Sequence, residues 1–145
     1  MGANIDTSIE LADRSGQRIS AQLHGTCTWS SPQERTCDIT LLADEIVVKG
    51  SGSDYFEAFC RIREELETHM LLPVCYGASR YVWSSGMSRD MGLGLKAYRR
   101  RIGERPIDST LVEIFNTGPD VEPVSVAEQR AYAEAVLVGG VSLRN

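Results

Sequence analysis

The stretch DYFEAFCRIREELETH, residues 54–69, decides the fold, because it carries the clearest helical period and start signal in the chain. Asp54 and Glu57 resemble a capping box with aspartate in the capping role. Apolar residues recur at helical spacing, at Tyr55, Phe59, Ile62 and Leu66. The charged residues fall on the other side, at Glu57, Arg61, Arg63, Glu64, Glu65 and Glu67. The stretch therefore predicts an amphipathic helix with a solvent-facing charged side and an apolar side that covers a sheet.

The residues before this helix alternate between apolar and polar, which is the period of β-strands. The alternation runs through residues 8–12, 18–29, 36–42 and 46–49. Turn-forming residues separate these segments, notably DRSG at 13–16 and SSPQE at 30–34. The pattern predicts an antiparallel meander.

The residues just after the helix are rich in glycine. Residues 75–98, CYGASRYVWSSGMSRDMGLGLKAY, predict turns, bulges or a contact surface, because glycine permits unusual backbone angles and close approach. Proline lacks the donor that a central strand needs, so Pro73 limits the run before this segment to an edge strand or to a strand that begins at Val74. Short strands are predicted over residues 95–102 and 111–115.

A second helix is predicted near the end of the sequence. Ser125 and Glu128 form a capping box, and the helix is expected to run to Val138 and stop at the two glycines that follow. Strands followed by helices indicate an α+β fold, a mostly antiparallel sheet with one long and one shorter helix packed against it. The length of 145 residues fits a single globular domain, residues 1–145.

Composition narrows the classes of partner. The formal net charge is -5, and 24% of the residues are charged. Nucleic acid is not expected as a partner, because the basic triplet at 99–101 lies in acidic surroundings and is interpreted as a solvated strand end. No apolar run approaches the roughly 18 residues needed to span a membrane, and residues 1–16 lack a secretory pattern. The sequence therefore predicts a cytoplasmic protein with no membrane partner.

The cysteines do not have the spacing of a metal or redox site. They occur at Cys27, Cys37, Cys60 and Cys75. Reduced and mostly buried thiols are expected, since the cytosol is reducing. Cys27 and Cys37 are the one pair that a hairpin could bring face to face.

Reactive motifs are weak throughout. Residues 92–96, GLGLK, contain glycines and a lysine but lack the pattern of a phosphate-binding loop. His24 is interpreted as a surface residue, and His69 as a residue that complements the end of the first helix. Candidate carboxylates for hydrolysis are Asp38, Asp90 and Glu113, but their spacing does not bring them together. We predict no catalytic residue, no cofactor and no bound metal.

The glycine-rich segment has the residue types of a protein interface instead. Arg80, Trp83, Met87 and Arg89 combine the arginine, aromatic and methionine side chains that interface hot spots favour. The alternative is that Trp83 and Met87 cover the core beneath a long loop.

Three strings resemble a family of small bacterial proteins encoded beside polymorphic toxins, including Rhs-type effectors. The strings are DYFEAFCRIREELE, CYGASRYVWSSGMSRDMGLGLKAY and FNTGPDVEPVSVAEQ, and their most particular parts are SGMSRDMG at 85–92 and TGPD at 117–120. Members of that family are immunity proteins, so the resemblance implies a protein that binds and occludes a cognate antibacterial toxin domain. Residues before Gly50 fall outside the resemblance, and Asn116 stands where the family pattern has an acidic residue.

An acidic inhibitor would be steered electrostatically towards a toxin with a basic cleft. The acidic contacts expected are Asp44, Glu45, Asp120 and Glu122, with Arg80 and Trp83 as anchors. Two alternatives stay open. One is a small enzyme that reverses a toxin's modification through Asp90, which requires a concave pocket with converging polar groups. The other is a homodimeric structural or adaptor protein, which requires a broad apolar patch that is buried symmetrically.

Overall fold

The computed structural model describes residues 4–105 and 109–142, with the backbone alone at 87–88 and 138–142. A five-stranded antiparallel sheet has the order β4-β3-β2-β1-β5. Its strands are β1 (Ile5–Ala12), β2 (Arg18–Ser31), β3 (Glu34–Ala43), β4 (Ile46–Gly52) and β5 (Leu72–Pro73). The predicted meander is confirmed, and Pro73 lies on an edge strand as expected.

The two faces of this sheet differ in burial. Ala21, Leu23, Ile39 and Leu41 alternate inward along β2 and β3 and are almost completely buried. The opposite face is mostly polar and open to solvent, as shown by the paired row Asp6, His24, Thr40 and Lys49. His24 is therefore a surface residue, as predicted. Among the described residues, other elements pack on the inward face of the sheet and leave the opposite face open.

The helix α1 (Tyr55–Thr68) covers that inward face. Asp54 is its N-cap and accepts a hydrogen bond from the Glu57 amide at 2.8 Å, and His69 is its C-cap, so the predicted bounds are confirmed. Gly50 permits the close packing of α1 on β4, because a Cβ at that position would lie 2.6 Å from the Ala58 carbonyl oxygen.

A second layer packs on the other side of α1. It contains a three-stranded sheet of β6 (Val82–Trp83), β7 (Lys96–Arg99) and β8 (Thr110–Glu113), together with α2 (Gly86–Met91) and α3 (Val126–Ser142). Phe56 and Cys60 of α1 face a core with Val82, Ala97 and Ile114. The helix α1 therefore lies between two layers, and the prediction of a fully solvent-facing charged side is wrong at Arg63, which is completely buried.

The fold class is confirmed as α+β, with corrections to the second helix. The helix α3 has 17 residues against 14 in α1, so the C-terminal helix is the longer one. It continues through Gly139 and Gly140 because helical hydrogen bonding tolerates glycine at a modest cost. It packs on β6 and α1 rather than on the five-stranded sheet. The short helix α2, inside the glycine-rich segment, was not predicted.

The cysteine prediction needs a correction too. Cys27 and Cys37 are directly opposite each other on β2 and β3, with Cα atoms 4.2 Å apart, and form a disulfide. Cys60 and Cys75 are free and buried, as expected. Antiparallel register places the first pair on the same face of the hairpin, which is what makes the bond possible.

Candidate functional site

A buried polar cluster fixes α3 against the rest of the second layer. The guanidinium of Arg63 donates to the carbonyl oxygens of Gly77 at 3.1 Å and Val124 at 3.0 Å, and to Oε1 of Gln129 at 2.6 Å. Burial lowers the pKa of Arg63, but an arginine in a protein stays charged. The side-chain amide of Gln129 donates in turn to the carbonyl oxygens of Gly77, Ser79 and Val82 at 2.8 to 3.0 Å. One cluster therefore joins α1, β6 and α3.

An aromatic groove lies between the small sheet and α3. We use that name for a cavity of about 250 Å³ bordered by the segment 80–85, β7 and α3. Its aromatic residues are Tyr81, Trp83, Tyr98 and Tyr132. Its aliphatic residues are Val82 of β6 and, on α3, Ala133, Val136 and Leu137. The rings of Tyr81 and Tyr132 meet edge to face with centroids 5.3 Å apart, so the sheet side and the helix side touch at one end.

Much of this apolar surface is open to solvent. Leu137 is 68% exposed and Tyr98 is 43% exposed. Tyr98 pairs with Trp83 on one side and with Leu111 on the other, and residues opposite each other in a ladder project to the same face. Leu111 is also exposed. The groove therefore continues into a row of large apolar side chains across the small sheet.

Charged side chains surround the groove. Arg80, predicted as an anchor, lines it and forms ion pairs with Glu122 at 2.9 Å and Glu128 at 3.8 Å. A hydrogen bond to Glu122 raises the pKa of Tyr81, and hydrogen bonds from Tyr81 and Arg80 hold the pKa of Glu122 below its ordinary value. The Arg101 guanidinium lies 4.7 Å from the centre of the Tyr81 ring. Arg101 therefore contacts Tyr81, so the interpretation of the basic triplet at 99–101 as a solvated strand end is corrected at this residue.

Trp83 and Arg89 meet at the N-terminal end of α1. The ring of Trp83 contacts Phe56 edge to face, with centroids 5.1 Å apart. Arg89 forms ion pairs with Asp54 at 2.8 Å and Glu57 at 3.7 Å, and its guanidinium lies 5.6 Å from the Phe56 ring centre. Arg89 therefore holds α2 against α1 and is committed to the fold, while Trp83 reaches both this contact and the groove.

The other predicted contact residues do not all gather here. Asp120 accepts a hydrogen bond from the Tyr76 hydroxyl at 2.8 Å and pairs with Arg99 of β7. Asp44 and Glu45 are exposed on the turn between β3 and β4 and do not line the groove. Met87 is in α2, and its side chain lies outside the described set. The structure thus brings Arg80 and Trp83 together in the groove, with Glu122 beside them.

The glycine-rich loop after α2 completes the start of α1 instead of forming a phosphate site. The Leu93 carbonyl accepts from the Tyr55 amide at 2.8 Å. Gly94 has φ +73, and a Cβ there would lie 2.8 Å from Oδ1 of Asp54. The amides of Tyr55 and Glu57 at this helix end are therefore occupied by the protein itself, and glycine is needed at position 94 for the close approach.

A second, more polar cavity of about 530 Å³ lies at the tip of the β2–β3 hairpin. It is lined by the exposed Trp29 together with Glu34 and Asp90. Arg35 connects this tip to α2 by donating to the carbonyl oxygens of Ser53 at 2.6 Å and Asp90 at 2.9 Å, and also to that of Arg89. Trp29 was not predicted as a contact residue.

The three candidate carboxylates for hydrolysis do not converge in the described part of the chain. That part holds no group of three or more histidine, cysteine or acidic residues suited to a metal ion. Asp38 is on the open sheet face bonded to Ser51, and Asp90 and Glu113 line separate cavities. Burial raises the pKa of the Cys75 thiol to about 12, so this thiol stays protonated at neutral pH.

Most residues of the groove were missed by sequence reasoning. The sequence predicts a strand for Tyr98, a solvated strand end for Arg100, and a helix for Tyr132 and Leu137, without assigning any of them to a contact surface. One signal was available in α3, where residues 131–138, AYAEAVLV, are apolar on almost every side. An isolated amphipathic helix needs only one apolar stripe, so this pattern indicates a helix with apolar surface left over for contact.

Comparison with known proteins leaves the function to be argued from this geometry. The sequence matches no family model and no curated protein. Among residues 4–105 and 109–142, no helix has the length and apolar character to cross a membrane.

Proposed function

We propose that this protein is an immunity protein that binds a cognate antibacterial toxin domain in the cytoplasm and occludes its active site. The aromatic groove is the observation that supports this proposal most strongly. Four aromatic residues and two arginines lie in one exposed site, and these residue types dominate the energetics of protein interfaces. The resemblance of residues 54–129 to immunity proteins is compatible with such a site.

The shape of the groove favours a macromolecule over a small ligand. Its volume of about 250 Å³ is below the roughly 300 to 1,000 Å³ of pockets that enclose small molecules. Tyr98 and Leu137 remain largely exposed, which a partner surface would cover and a small ligand would not. The Arg63–Gln129 cluster holds both walls in place, so little conformational entropy is lost when a partner binds.

Charge supports fast association with a basic toxin. The net charge is -5, and complementary fields raise association rates at low salt. Glu122 lies at the groove through its pair with Arg80, and Asp120 is engaged with Arg99 of β7. Asp44 and Glu45 are on a separate turn, where they would contribute to steering more than to a central contact.

The test is to purify the full chain with the toxin-like product of the adjacent open reading frame. Isothermal titration calorimetry should give a 1:1 complex, and the toxin's activity should fall in proportion to the fraction bound. Binding without inhibition would refute occlusion of the active site. Absence of binding to any adjacent product would refute the proposed function, and turnover of a modified toxin substrate by the isolated protein would favour the enzyme alternative.

A further inference from the structure

We propose that the aromatic groove receives an acidic segment of the toxin, in which an apolar side chain enters between the four aromatic residues and neighbouring carboxylates reach Arg80 and Arg100. This inference rests on the proposed function and specifies the chemistry of the partner at that site. The net charge of -5, taken alone, would predict that the partner's contact residues are basic, whereas this inference predicts acidic ones at the groove.

The charged side chains that line the groove are both basic. Among the described residues that line it, Arg80 and Arg100 are the only charged ones. Arg100 donates from Nε to the carbonyl oxygen of Glu104 at 3.2 Å, and the ion pairs of the described residues include none from Arg100 to a carboxylate. Its guanidinium therefore keeps donors for a partner, and a planar guanidinium suits a carboxylate in bidentate geometry.

Arg80 is a second but weaker point of attachment. Its guanidinium already pairs with Glu122 and Glu128, yet 32% of its side chain is exposed. A carboxylate from a partner would have to share or replace these pairs. Arg100 is for that reason the residue whose charge should matter most.

The interior of the groove suits individual side chains. A single turn of helix, about 10 Å across and about 5.4 Å high, occupies more than the groove's volume of about 250 Å³. Trp83, Tyr98 and Val136 offer rings and methyl groups to whatever enters. One large apolar side chain, presented by a loop or by one face of a helix, fits this space and would gain the burial of its apolar surface.

Nucleic acid and a second copy of the chain fit the groove less well. A single-stranded nucleic acid needs a basic track along its backbone, whereas the α3 wall is aliphatic at Ala133, Val136 and Leu137. A two-fold dimer through this surface would place the groove against itself and bring Arg80 and Arg100 of both copies into one interface. Like charges would oppose that arrangement.

The experiment measures the affinity of the full chain for the adjacent toxin product, with Arg100→Glu compared with Arg18→Glu. Arg18 is a matched control, because it is 51% exposed on the five-stranded sheet and pairs there with Glu10. We expect Arg100→Glu to raise Kd at least tenfold at 50 mM salt, with a smaller effect at 500 mM, because salt screens charges. Arg18→Glu should stay within twofold, and Arg100→Lys should fall between wild type and Arg100→Glu. Equal melting temperatures of the variants confirm folding.

The outcomes separate this inference from the proposed function. If the wild type binds and inhibits the toxin while Arg100→Glu binds equally well or more tightly, the acidic segment is refuted and the immunity function stands. If the wild type binds no toxin, both the acidic segment and the immunity function are refuted. Binding of a single-stranded DNA 20-mer that Arg100→Glu abolishes, or a dimer in light scattering that Arg100→Glu strengthens, would also overturn the inference.

Discussion

At the residue scale, Gln129 is the side chain on which the position of α3 depends most. It is completely buried, accepts from Arg63 and donates to three carbonyl oxygens of the segment 77–82. Nothing in the helical period distinguishes it from an exposed glutamine. Its importance follows only from the packing of α3 on the second side of α1.

We expect Gln129→Ala to lower the free energy of unfolding by about 3 kcal/mol, because it leaves buried carbonyl groups and the Arg63 charge with fewer partners. Urea unfolding followed by circular dichroism measures this loss. Arg130→Ala is the control, since Arg130 is the exposed neighbour in the same helix and should cost less than about 0.5 kcal/mol. Equal losses in the two variants would show that the buried cluster is not important for stability.

Glu122 gives the stability a pH dependence of known sign. Its pKa is lowered in the folded protein by hydrogen bonds from Tyr81 and Arg80. A pKa that is lower in the folded than in the unfolded state stabilises the protein at pH values above the ordinary pKa of about 4.3. This stabilisation is lost as the pH falls through the folded-state pKa. Glu122→Gln should therefore lower the melting temperature by about 2 °C at pH 7 and by progressively less as the pH falls below about 4.3. A difference that grows towards acid would contradict the assignment.

At the element scale, the β2–β3 hairpin carries its own covalent constraint. The disulfide closes a sequence separation of 10 residues, which predicts a loss of about 2 to 3 kcal/mol of stability on reduction. Thiol reductants keep cytosolic cysteines reduced, so a cytoplasmic function requires binding without this bond. The groove is built from β6, β7 and α3, outside the hairpin.

We therefore expect dithiothreitol to lower the free energy of unfolding of the wild type by about 2 to 3 kcal/mol and to change its Kd for the toxin less than twofold. A Cys27→Ala/Cys37→Ala variant is the control and should not respond to the reductant. If dithiothreitol leaves the free energy of unfolding of the wild type unchanged, the disulfide between Cys27 and Cys37 does not form. A large loss of affinity on reduction would place the hairpin in the interface.

The local elements were predictable because their signals are local. Both predicted N-caps are present, since the Glu57 amide donates to Oδ1 of Asp54 at 2.8 Å and the Glu128 amide donates to the Ser125 hydroxyl at 3.1 Å. The reciprocal bond of a full capping box is made at Ser125, whereas Glu57 accepts from the Ser53 amide instead. The burial of Arg63 was not predictable, since periodicity assigns a charged residue to solvent and ignores the layer that covers it. The groove joins Arg80 and Trp83 to Tyr132 and Leu137, and no period connects residues so far apart in the chain.

At the scale of the whole molecule, α1 separates two surfaces of different character. The open face of the five-stranded sheet is mostly polar, with Leu42 and its ladder partner Val47 as exposed apolar residues at 50% and 56%. The other side presents the aromatic groove with Leu137 at 68% exposure. The central claim is that the second surface, and not the first, is the one that binds the toxin.

The most direct test is the affinity of Leu137→Asp for the adjacent toxin product, measured by calorimetry beside Leu42→Asp. We predict that Leu137→Asp raises Kd about thirtyfold, the loss of a hot-spot contact worth about 2 kcal/mol, because a carboxylate would be buried in the apolar groove. Leu42→Asp should change Kd less than threefold. A Leu137→Asp variant that binds like wild type, with Leu42→Asp impaired, would contradict the account.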